Sequence, residues 1–504
     1  MRKLLLFASL TLGMLLNAQQ NQLLQADFWK AKPNVADVKE AISKGNSASA
    51  FNNSTFDPVA LAINNKAPLE TIQFLVEQPG NSVDKLTHDG RIYLHWAAMS
   101  GNPEIVKYLI SKGSDVNKLD AKGMTPLTFA AGFGMNNKDI YEMFFNSGVD
   151  AKQKYDNGQT ILLSAIAADK DLSLTQYFIT KGMSLNDVDK HGSTAFDYAA
   201  SMGNIDLLKK LQAKGIKATG QSVVNAAQGT RRVSNGIDVF KYLIDDVKVN
   251  PKSTNNDGAS LISIIARKPN QSEIISYLIN KGVDVNATDE NGNTALMIAA
   301  GGRDLENVKT IVAQTKNINL QNADGESALT QAFKSGTSEI AEFLIDQKAD
   351  VNVKDIKGNN LAYYIVTDYR PGPPPGSPRP GAQTNTPKKD EFTAKLDLLQ
   401  SKGVSLKTPQ ADGNTLLILA ASKNDLGLLK KLEAYKIDVN AKNKENMTAL
   451  HQAALLAKDD QILKYLIALG ADKNAKTDFD ETAYDLAAEN DFLKNNKISI
   501  DFLK

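Results

Sequence analysis

The feature that most constrains this chain is a turn marker, usually glycine, that recurs about every 33 residues. The markers are Gly90, Gly123, Gly158, Gly192, Gly258, Gly292, Gly325, Gly358, Gly413, Asn446 and Asp480. The interval before Gly258 spans two periods, with Gly220 near the missing place, and the interval before Gly413 holds an insertion. At 504 residues the chain is also too long for one compact core. The spacing therefore predicts an array of repeats.

Each marker is followed by the sequence pattern of two short helices. A hydroxyl two residues later can cap the first helix, at Thr125, Thr160, Thr194, Ser222, Ser260, Thr294, Ser327, Thr415, Thr448 and Thr482. An apolar stretch with paired alanines follows, then an amphipathic segment that ends at a glycine, such as residues 104–110 before Gly113. The Asp-rich link to the next marker has hairpin chemistry. We therefore predict an all-α repeat solenoid of about 12–13 helix-turn-helix units with short β-hairpin or turn arms.

The motifs inside these units resemble those of a known family. Thr125-Pro126-Leu127, the stretch Leu94-His95-Trp96-Ala97-Ala98 and the link at residues 282–286 are similar to the ankyrin repeat consensus. The resemblance covers roughly residues 24–504. It is highly specific for the fold but says little about function, because this family shares a scaffold and not a chemistry.

The repeat boundaries suggest how the chain is organised. We predict a signal peptide over residues 1–18, an N-terminal capping and degenerate repeat region over 19–66, and a repeat array over 67–366. A Pro-rich insertion within a repeat follows over 367–391, and further repeats with a C-terminal cap occupy 392–504. The insertion could be a docking strand, a semi-rigid spacer or a neutral insertion. Stretches 216–258 and 366–392 are expected to be the weak joints, which limited proteolysis would cleave first.

The N-terminus has the pattern of an export signal. Arg2 and Lys3 precede an apolar run over residues 4–16, and Ala18 is a plausible last residue of the leader. An uncleaved anchor helix is the alternative, but the run is shorter than the ~20 residues that a membrane span needs. We therefore expect an exported chain, in the periplasm or secreted, with no stable membrane insertion after cleavage.

Composition and motifs exclude several other classes of function. The formal charge of +1 gives no field that would attract nucleic acid, and the absence of cysteine excludes disulfides and thiolate sites. The four histidines have no metal-ligand spacing, and no nucleophile elbow or phosphate loop is present. We expect no cofactor, no metal and no catalysis. His95 and His451 occupy the histidine position of the repeat, where a structural hydrogen bond is expected.

Candidate partner-binding residues lie at the turn tips and at the ends of the first helices. The tip candidates are Leu119, Lys122, Tyr155, Asp156, Lys190, Glu290, Ile356, Lys357, Lys444 and Phe479, and the helix candidates are Met99, Phe133 and Met202. Leu119, Tyr155, Ile356 and Phe479 stand out because an apolar side chain at a tip is not needed by the fold. The alternative is that single exposed apolar residues are normal on any surface.

These observations favour a non-catalytic scaffold that binds an exported protein partner through its concave face. The alternative is a secreted effector that grips a foreign protein. We expect the chain to be a monomer. A basic link at residues 229–236 could bind an anion, although a solvated loop explains it as well.

Overall fold

The computed structural model describes residues 21–230, 234–370 and 390–504, and its helices follow one another in pairs. The chain divides into two compact units, Met1–Ser222 and Val223–Lys504. In the first unit the α-helices are α1 Ala26–Lys30, α2 Val35–Ser43, α3 Pro58–Asn64, α4 Leu69–Val76, α5 Tyr93–Ser100, α6 Pro103–Ser111, α7 Pro126–Gly132, α8 Lys138–Asn146, α9 Ile161–Ala165, α10 Ser173–Thr180, α11 Ala195–Ala199 and α12 Ile205–Ala213.

The division between the two units lies within α13 (Gly220–Gln228). The second unit continues with α14 Ile237–Lys241, α15 Leu261–Ile265, α16 Ser272–Asn280, α17 Ala295–Ala300, α18 Leu305–Val312, α19 Ala328–Lys334, α20 Ser338–Asp346, α21 Leu361–Thr367, α22 Glu391–Ser401, α23 Leu416–Ser422, α24 Leu426–Leu432, α25 Ala449–Leu456, α26 Gln461–Ala468, α27 Ala483–Glu489 and α28 Asp491–Asn495. Counting from α3, the odd-numbered helices are the first helices of the repeats and the even-numbered ones are the second helices.

Short turns complete the secondary structure. The 3-10 turns are Gln22–Leu24, His88–Gly90, Ile166–Ala168, Ala200–Met202, Glu433–Tyr435 and Asp501–Leu503, and Tyr242–Asp246 forms a π-helical turn. Thr254 with Ser260 and Thr288 with Thr294 form isolated β-bridges. The described residues contain no β-strand beyond these two bridges. The predicted all-α repeat solenoid with short turn arms is therefore confirmed. No helix in this part of the chain is long and apolar enough to cross a bilayer.

The first helices begin where the hydroxyl pattern predicts. The side chain of Thr125 accepts the amide of Thr128, and Pro126 occupies the first helical position, where its missing N–H is harmless. Thr448 and Thr482 cap α25 and α27 in the same way. These bonds satisfy amides that have no partner within their own helix. The predicted caps therefore determine where most repeats enter their first helix.

The prediction is wrong at Ser222, which lies inside α13 and not before it, and at Gly220, which starts that helix and is not a hairpin turn. The carboxylate of Asp197 replaces the missing arm. It accepts the backbone amide of Thr219 at 2.9 Å, the amide of Thr194 at 2.8 Å and the hydroxyl of Ser222. Asp197 is fully buried. A side chain 22 residues away in sequence thus provides the bonds that a hairpin provides elsewhere.

The second helices end as the glycine pattern predicts. Gly113, Gly282 and Gly470 all have positive φ, between 81° and 94°, a region in which a side chain would be strained. The apolar faces of both helices of each repeat are buried between neighbours. Paired alanines such as Ala97 and Ala98 are fully buried and allow successive first helices to pack closely.

The ends and the insertion agree in part with the predicted layout. Helix α2 lies in the predicted N-terminal capping region, where Trp29 is fully buried and its indole N–H donates to the carbonyl of Leu23 at 2.8 Å. The insertion separates α21 from α22, the two helices of one repeat. Its residues 371–389, the leader at 1–18 and residues 231–233 of the basic link lie outside the described residues. The predicted domain boundaries and weak joints stay predictions.

Candidate functional site

The arms between repeats are built from one turn that recurs along both units. In each arm the amide of the first turn residue donates to the carbonyl four residues later, as in Asp120 to Met124 at 2.9 Å and Asp289 to Asn293 at 3.0 Å. The side chain of the first residue closes the turn, since Asp120 also accepts the amides of Lys122 and Met124. This Asx geometry explains the Asp-rich links of the sequence.

Neighbouring arms are joined tip to tip by a backbone hydrogen bond. The amide of Ala121 donates to the carbonyl of Asp89 at 2.8 Å, and in the second unit the amide of Ile356 donates to Asp324 at 3.0 Å. Lys444 makes the same bond to Asp412. The tips therefore lie side by side within each unit, and residues at equivalent turn positions form rows.

The structure places most of the predicted tip residues at exposed positions on these rows. Those exposed at or beside the tips are Leu119, Lys122, Asp156, Lys190, Glu290, Ile356, Lys357, Lys444 and Phe479. Phe479 is 82 % exposed and Ile356 is 70 % exposed. Some of the cations contact the preceding arm: Lys122 forms an ion pair with Asp89 at 2.7 Å, and Lys190 donates to the carbonyl of Asp156. The apolar tips have no comparable role.

Tyr155 does not belong to this exposed set. It is the first residue of its turn, where other arms have Asp120 or Asp289, and its side chain lies against Thr125 of the preceding repeat. Burial raises the pKa of the Tyr155 hydroxyl to about 12. The expected exposed tip side chain is therefore not observed at Tyr155, which is half-buried at the first position of its turn.

The three helix candidates lie at the ends of first helices. Met99 and Met202 are half-buried, and Phe133 is 36 % exposed where α7 ends. The ring of Phe133 packs on buried Phe129 with centroids 4.6 Å apart. Phe133 is thus the most accessible of the three, at the edge of an aromatic layer that continues into the core.

Four exposed apolar residues on the arms are missing from the predicted set: Phe51, Leu86, Val188 and Leu320. Leu86 is 53 % exposed and Phe51 is 45 % exposed, and both hold the same position in their arms as Leu119. The signal for Leu86 was available in the sequence, because it precedes Gly90 by the same four residues that separate Leu119 from Gly123. In the turn after Phe51, Thr55 with φ 56° occupies the position that a glycine holds in other arms. Because this turn has no marker glycine, the sequence spacing does not identify Phe51 as an arm residue.

A groove on the tip side of the second unit mixes aromatic and acidic groups. A cavity of about 360 Å³ is lined by residues that include Ile356, Tyr363, Tyr364 and Asp368. The hydroxyl of Tyr364 donates to Asp355 at 2.7 Å. Burial raises the pKa of the Asp368 carboxyl and that of the Tyr364 hydroxyl. This arrangement can contact an apolar or cationic side chain, and it holds no nucleophile paired with a base.

Two of the four histidines, His95 and His451, have structural roles. His451 contacts the hydroxyl of Thr448 at 2.9 Å through Nδ1 and the carbonyl of Ala475 at 3.0 Å through Nε2. His95 binds the carbonyl of Met124 through Nε2. Burial lowers the pKa of both imidazoles. Within the ranges that the structure describes, no group of three or more His, Cys, Asp or Glu side chains could hold a metal ion.

The outer side of the second helices is occupied by bonds between repeats. Tyr277 of α16 and Lys281, directly after that helix, both bind Asp245 of the preceding repeat, at 3.0 and 2.5 Å. Tyr177 of α10 and Lys181, directly after it, bind Glu142 of α8 in the same way. The hydrogen bonds from the lysines lower the pKa of these carboxyls. Much of the polar chemistry on this side of each unit therefore serves the fold.

Comparisons with known proteins give the same picture as the fold. A sequence model for three copies of the ankyrin repeat matches residues 59–155, 134–222, 226–322 and 262–355, and a model for many copies matches 432–487. The first of these models alone covers more than half of the chain.

The curated relatives share the repeats with this chain, and several are much longer proteins. Alpha-latroinsectotoxin-Lt1a of Latrodectus tredecimguttatus is 26% identical over 62% of this chain, and the match covers 21% of the toxin's own length. Phosphocholine transferase AnkX of Legionella pneumophila is 25% identical over 66% of the chain and 33% of its own length. A putative ankyrin repeat protein of Rickettsia felis is 24% identical over 53% of the chain and 76% of its own length. Both the fold and these matches show that the chain belongs to the ankyrin repeat family.

Proposed function

We propose that this chain is a non-catalytic scaffold that binds an exported protein partner through its arms and first helices. The observation that carries the proposal is where large apolar side chains are exposed. Of the twelve in the described residues, ten lie on arms, at turn tips or at the ends of first helices. The other two, Ile179 and Phe492, lie on second helices. Interfaces use such side chains as anchors, and the fold does not require them there.

The bonds on the second helices support the same assignment. Tyr177 and Tyr277 place their hydroxyls on carboxylates of the preceding repeat, so these groups are already engaged by the chain itself. A partner that bound there would have to compete with bonds that hold neighbouring repeats together. A partner that contacts the exposed side chains of Ile356 and Phe479 at the tips would not have to displace such bonds.

The location of the partner rests on the leader pattern at residues 1–18. A cleaved leader would deliver the chain to the periplasm or to the medium. Intact-mass analysis of the purified protein tests cleavage after Ala18, and a retained leader would favour the anchored alternative. Osmotic-shock fractionation then separates the two destinations.

The alternative of a secreted effector has one supporting observation, the likeness to a protein that is named as a toxin. An effector would be found in the medium and would bind a protein of another cell. Recovery of the chain in the osmotic-shock fraction alone would contradict this alternative.

The direct test is affinity capture of the tagged chain from an envelope extract, with the captured proteins identified by mass spectrometry. The variant Leu119→Ser/Ile356→Ser/Phe479→Ser removes three exposed apolar side chains without opening the core, so its helical circular dichroism should be unchanged. We expect a stoichiometric partner to be lost in this variant and kept with Ile179→Ser, which changes an exposed side chain on a second helix. Capture that survives the triple substitution would rule out the proposed face.

A further inference from the structure

Each arm has an edge position, the residue directly before the first residue of its turn. The turn hydrogen bond places these residues at equivalent points of twelve arms in the described chain. In the first unit the edge residues are Phe51, Leu86, Leu119, Lys154 and Val188. In the second unit they are Thr254, Thr288, Gln321, Lys354, Pro409, Lys442 and Lys476. The edge position is thus mainly apolar in one unit and mainly polar or basic in the other.

Contacts in the second unit show that successive edge residues are close neighbours. The ammonium of Lys442 reaches the carbonyl of Lys476 at 3.2 Å, and the amide of Gln321 reaches the carbonyl of Lys354 at 2.8 Å. A polar edge side chain can therefore serve the fold by binding the next arm. Leucine and phenylalanine cannot form such a bond, so at these positions an apolar side chain needs another explanation.

Phe51, Leu86 and Leu119 form what we call the apolar row, three consecutive edge positions that are 45, 53 and 55 % exposed. Lys85 lies over the ring of Phe51 at 4.6 Å, so this ring lies against the arm that contains Leu86. The tip bond between residues 89 and 121 joins that arm to the one with Leu119. Three large apolar side chains thus follow one another at a spacing of one repeat.

The spacing of the row restricts the partner that can cover it. Packed helices of neighbouring repeats lie ~8–10 Å apart, and because each repeat carries one arm, we expect the arms to recur at a similar spacing. Side chains on one face of a β-strand recur at ~6.7 or ~13 Å, which does not match. Side chains at i and i+7 of an α-helix lie on one face ~10.5 Å apart, which matches closely. A polyproline helix has a similar period, but its usual sites are grooves lined with aromatic rings, and the row has one ring.

The next edge residue adds a charge to this pattern. Lys154 follows Leu119 in the row and is exposed. A partner helix that continues past Leu119 would therefore meet a cation one step later. A carboxylate at that step would be complementary to it.

We propose that the apolar row binds an amphipathic α-helix of a protein partner, with apolar residues at i, i+7 and i+14 and an acidic residue at i+21 opposite Lys154. The inference rests on the proposed scaffold function and specifies the class of segment that the first unit recognises. The helix lies along the succession of arms, and each apolar side chain contacts one edge residue.

A designed helical peptide with leucines at i, i+7 and i+14 and glutamate at i+21 tests this with the full chain, by fluorescence anisotropy. We expect Leu86→Ser and Leu119→Ser to weaken binding about tenfold each, because each removes a buried apolar contact. Lys154→Glu should weaken it about threefold, and a peptide with lysine at i+21 should restore the loss. Ile179→Ser, with similar exposure on a second helix, should bind like the unchanged chain.

Several outcomes would overturn the helix proposal. The first is that the designed peptide does not bind. The second is that a peptide of the same composition, with its leucines spread around the helix, binds equally well. The third is that a proline-rich peptide with leucine at every third residue binds more tightly. Sedimentation of the chain that shows a dimer lost in Leu86→Ser/Leu119→Ser would assign the row to a second copy. If the peptide fails while envelope capture still depends on Ile356 and Phe479, the scaffold function stands and only this inference is wrong.

Discussion

Two buried cations, one in each unit, show two ways in which these repeats accommodate a charge. Arg91 in the first unit is 3 % exposed and binds Asp120 at 2.9 Å and Asp89 at 3.1 Å. Lys395 in the second unit is 6 % exposed, and its ammonium donates to the backbone carbonyl of Phe333 at 2.9 Å. Burial lowers the pKa of Lys395 to about 8.

The difference lies in what the neighbouring repeat offers. Arg91 faces the next arm, where the turn carboxylate of Asp120 is already fixed by the amides of its own turn. Its guanidinium also lies 4.3 Å from the ring centroid of Phe129. Lys395 faces the end of α19, where the acceptor is a carbonyl with a partial charge only. The comparison teaches that a buried cation in this fold can be held either by carboxylates of neighbouring arms or by a backbone carbonyl, and that burial lowers the pKa of Lys395, the one held by a carbonyl.

Breaking the pair in the first unit should have the largest effect. Asp120→Ala leaves the Arg91 guanidinium buried without its closest carboxylate, and we expect a loss of about 3–5 kcal/mol in the free energy of unfolding. Both tryptophans, Trp29 and Trp96, lie before residue 223, so denaturation followed by tryptophan fluorescence reports on this unit. Asp289→Ala is the matched control, because Asp289 closes the same turn without a cation. Because Asp289 lies in the second unit, which has no tryptophan, the stability of the control variant is measured by hydrogen exchange. An equal loss in both variants would show that the turn matters and the ion pair does not.

Arg91→Lys weakens the pair without removing its charge. A lysine lacks the planar group that lies over Phe129 and cannot bind two carboxylates with a fixed geometry. We expect the free energy of unfolding to fall by about 2 kcal/mol. The same fluorescence measurement applies, and a variant as stable as the parent would mean that charge alone, and not geometry, stabilises this site.

The pH dependence of Lys395 should be smaller than these effects, and its sign is opposite to that of a lysine whose pKa is raised by an ion pair. Its folded pKa of about 8 is below the unfolded value of ~10.4, so between these values the unfolded chain binds more protons. Stability should therefore rise by about 1 kcal/mol from pH 8 to pH 9, and stay flat with respect to this group well below pH 8. Hydrogen exchange of α19 and α22, compared with Lys395→Met, isolates the contribution. A parallel pH profile in the two proteins would contradict the lowered pKa.

Lys395→Met at pH 7 should have the smallest effect. The substitution removes the desolvation penalty of the buried ammonium, which stabilises the fold. It also leaves the carbonyl of Phe333 without its donor, which destabilises the fold, and the two changes offset each other. We expect less than about 1 kcal/mol of change in the exchange-derived stability of α19 and α22. A loss above about 2 kcal/mol would show that Lys395 stabilises the fold as strongly as a paired cation.

The regular part of this fold was predictable because its turns and caps are local. Gly113 needs its left-handed backbone, and Thr125 caps a helix that begins at the next residue, whatever lies beyond the repeat. Ser222 and Gly220 were misassigned because the feature that replaces their arm, Asp197, lies in the preceding repeat. Sequence spacing contains no information about that contact.

The candidate site was predictable only where exposure follows from position. Ile356 and Phe479 lie at tips, and the structure exposes both. Tyr155 was misassigned because its turn position leaves open whether the ring points to solvent or back to Thr125. Packing between repeats decides this, and a single sequence does not encode it in any simple pattern.

His95 shows a further limit of the consensus. Nδ1 of His451 contacts the hydroxyl of Thr448, whereas the buried Nδ1 of His95 has no hydroxyl partner in the described part of the molecule. The reason is that Ile92 occupies the capping position that Thr448 holds in its own repeat. At His95 the predicted structural hydrogen bond is formed by Nε2, with the carbonyl of Met124.

The tip bonds have a consequence for how such a chain can change in length during evolution. Every bonded tip offers its neighbour the same backbone donor and acceptor, so an in-frame loss or duplication of one whole period recreates the junction without any new chemistry. If residues 292–324 were excised, Ile356 could donate to the carbonyl of Asn291 in place of that of Asp324. We expect such a shortened chain to fold with its circular dichroism per residue unchanged, whereas a deletion of half a period should not. Natural variation in the number of periods is therefore a low-cost route to a longer or shorter binding surface.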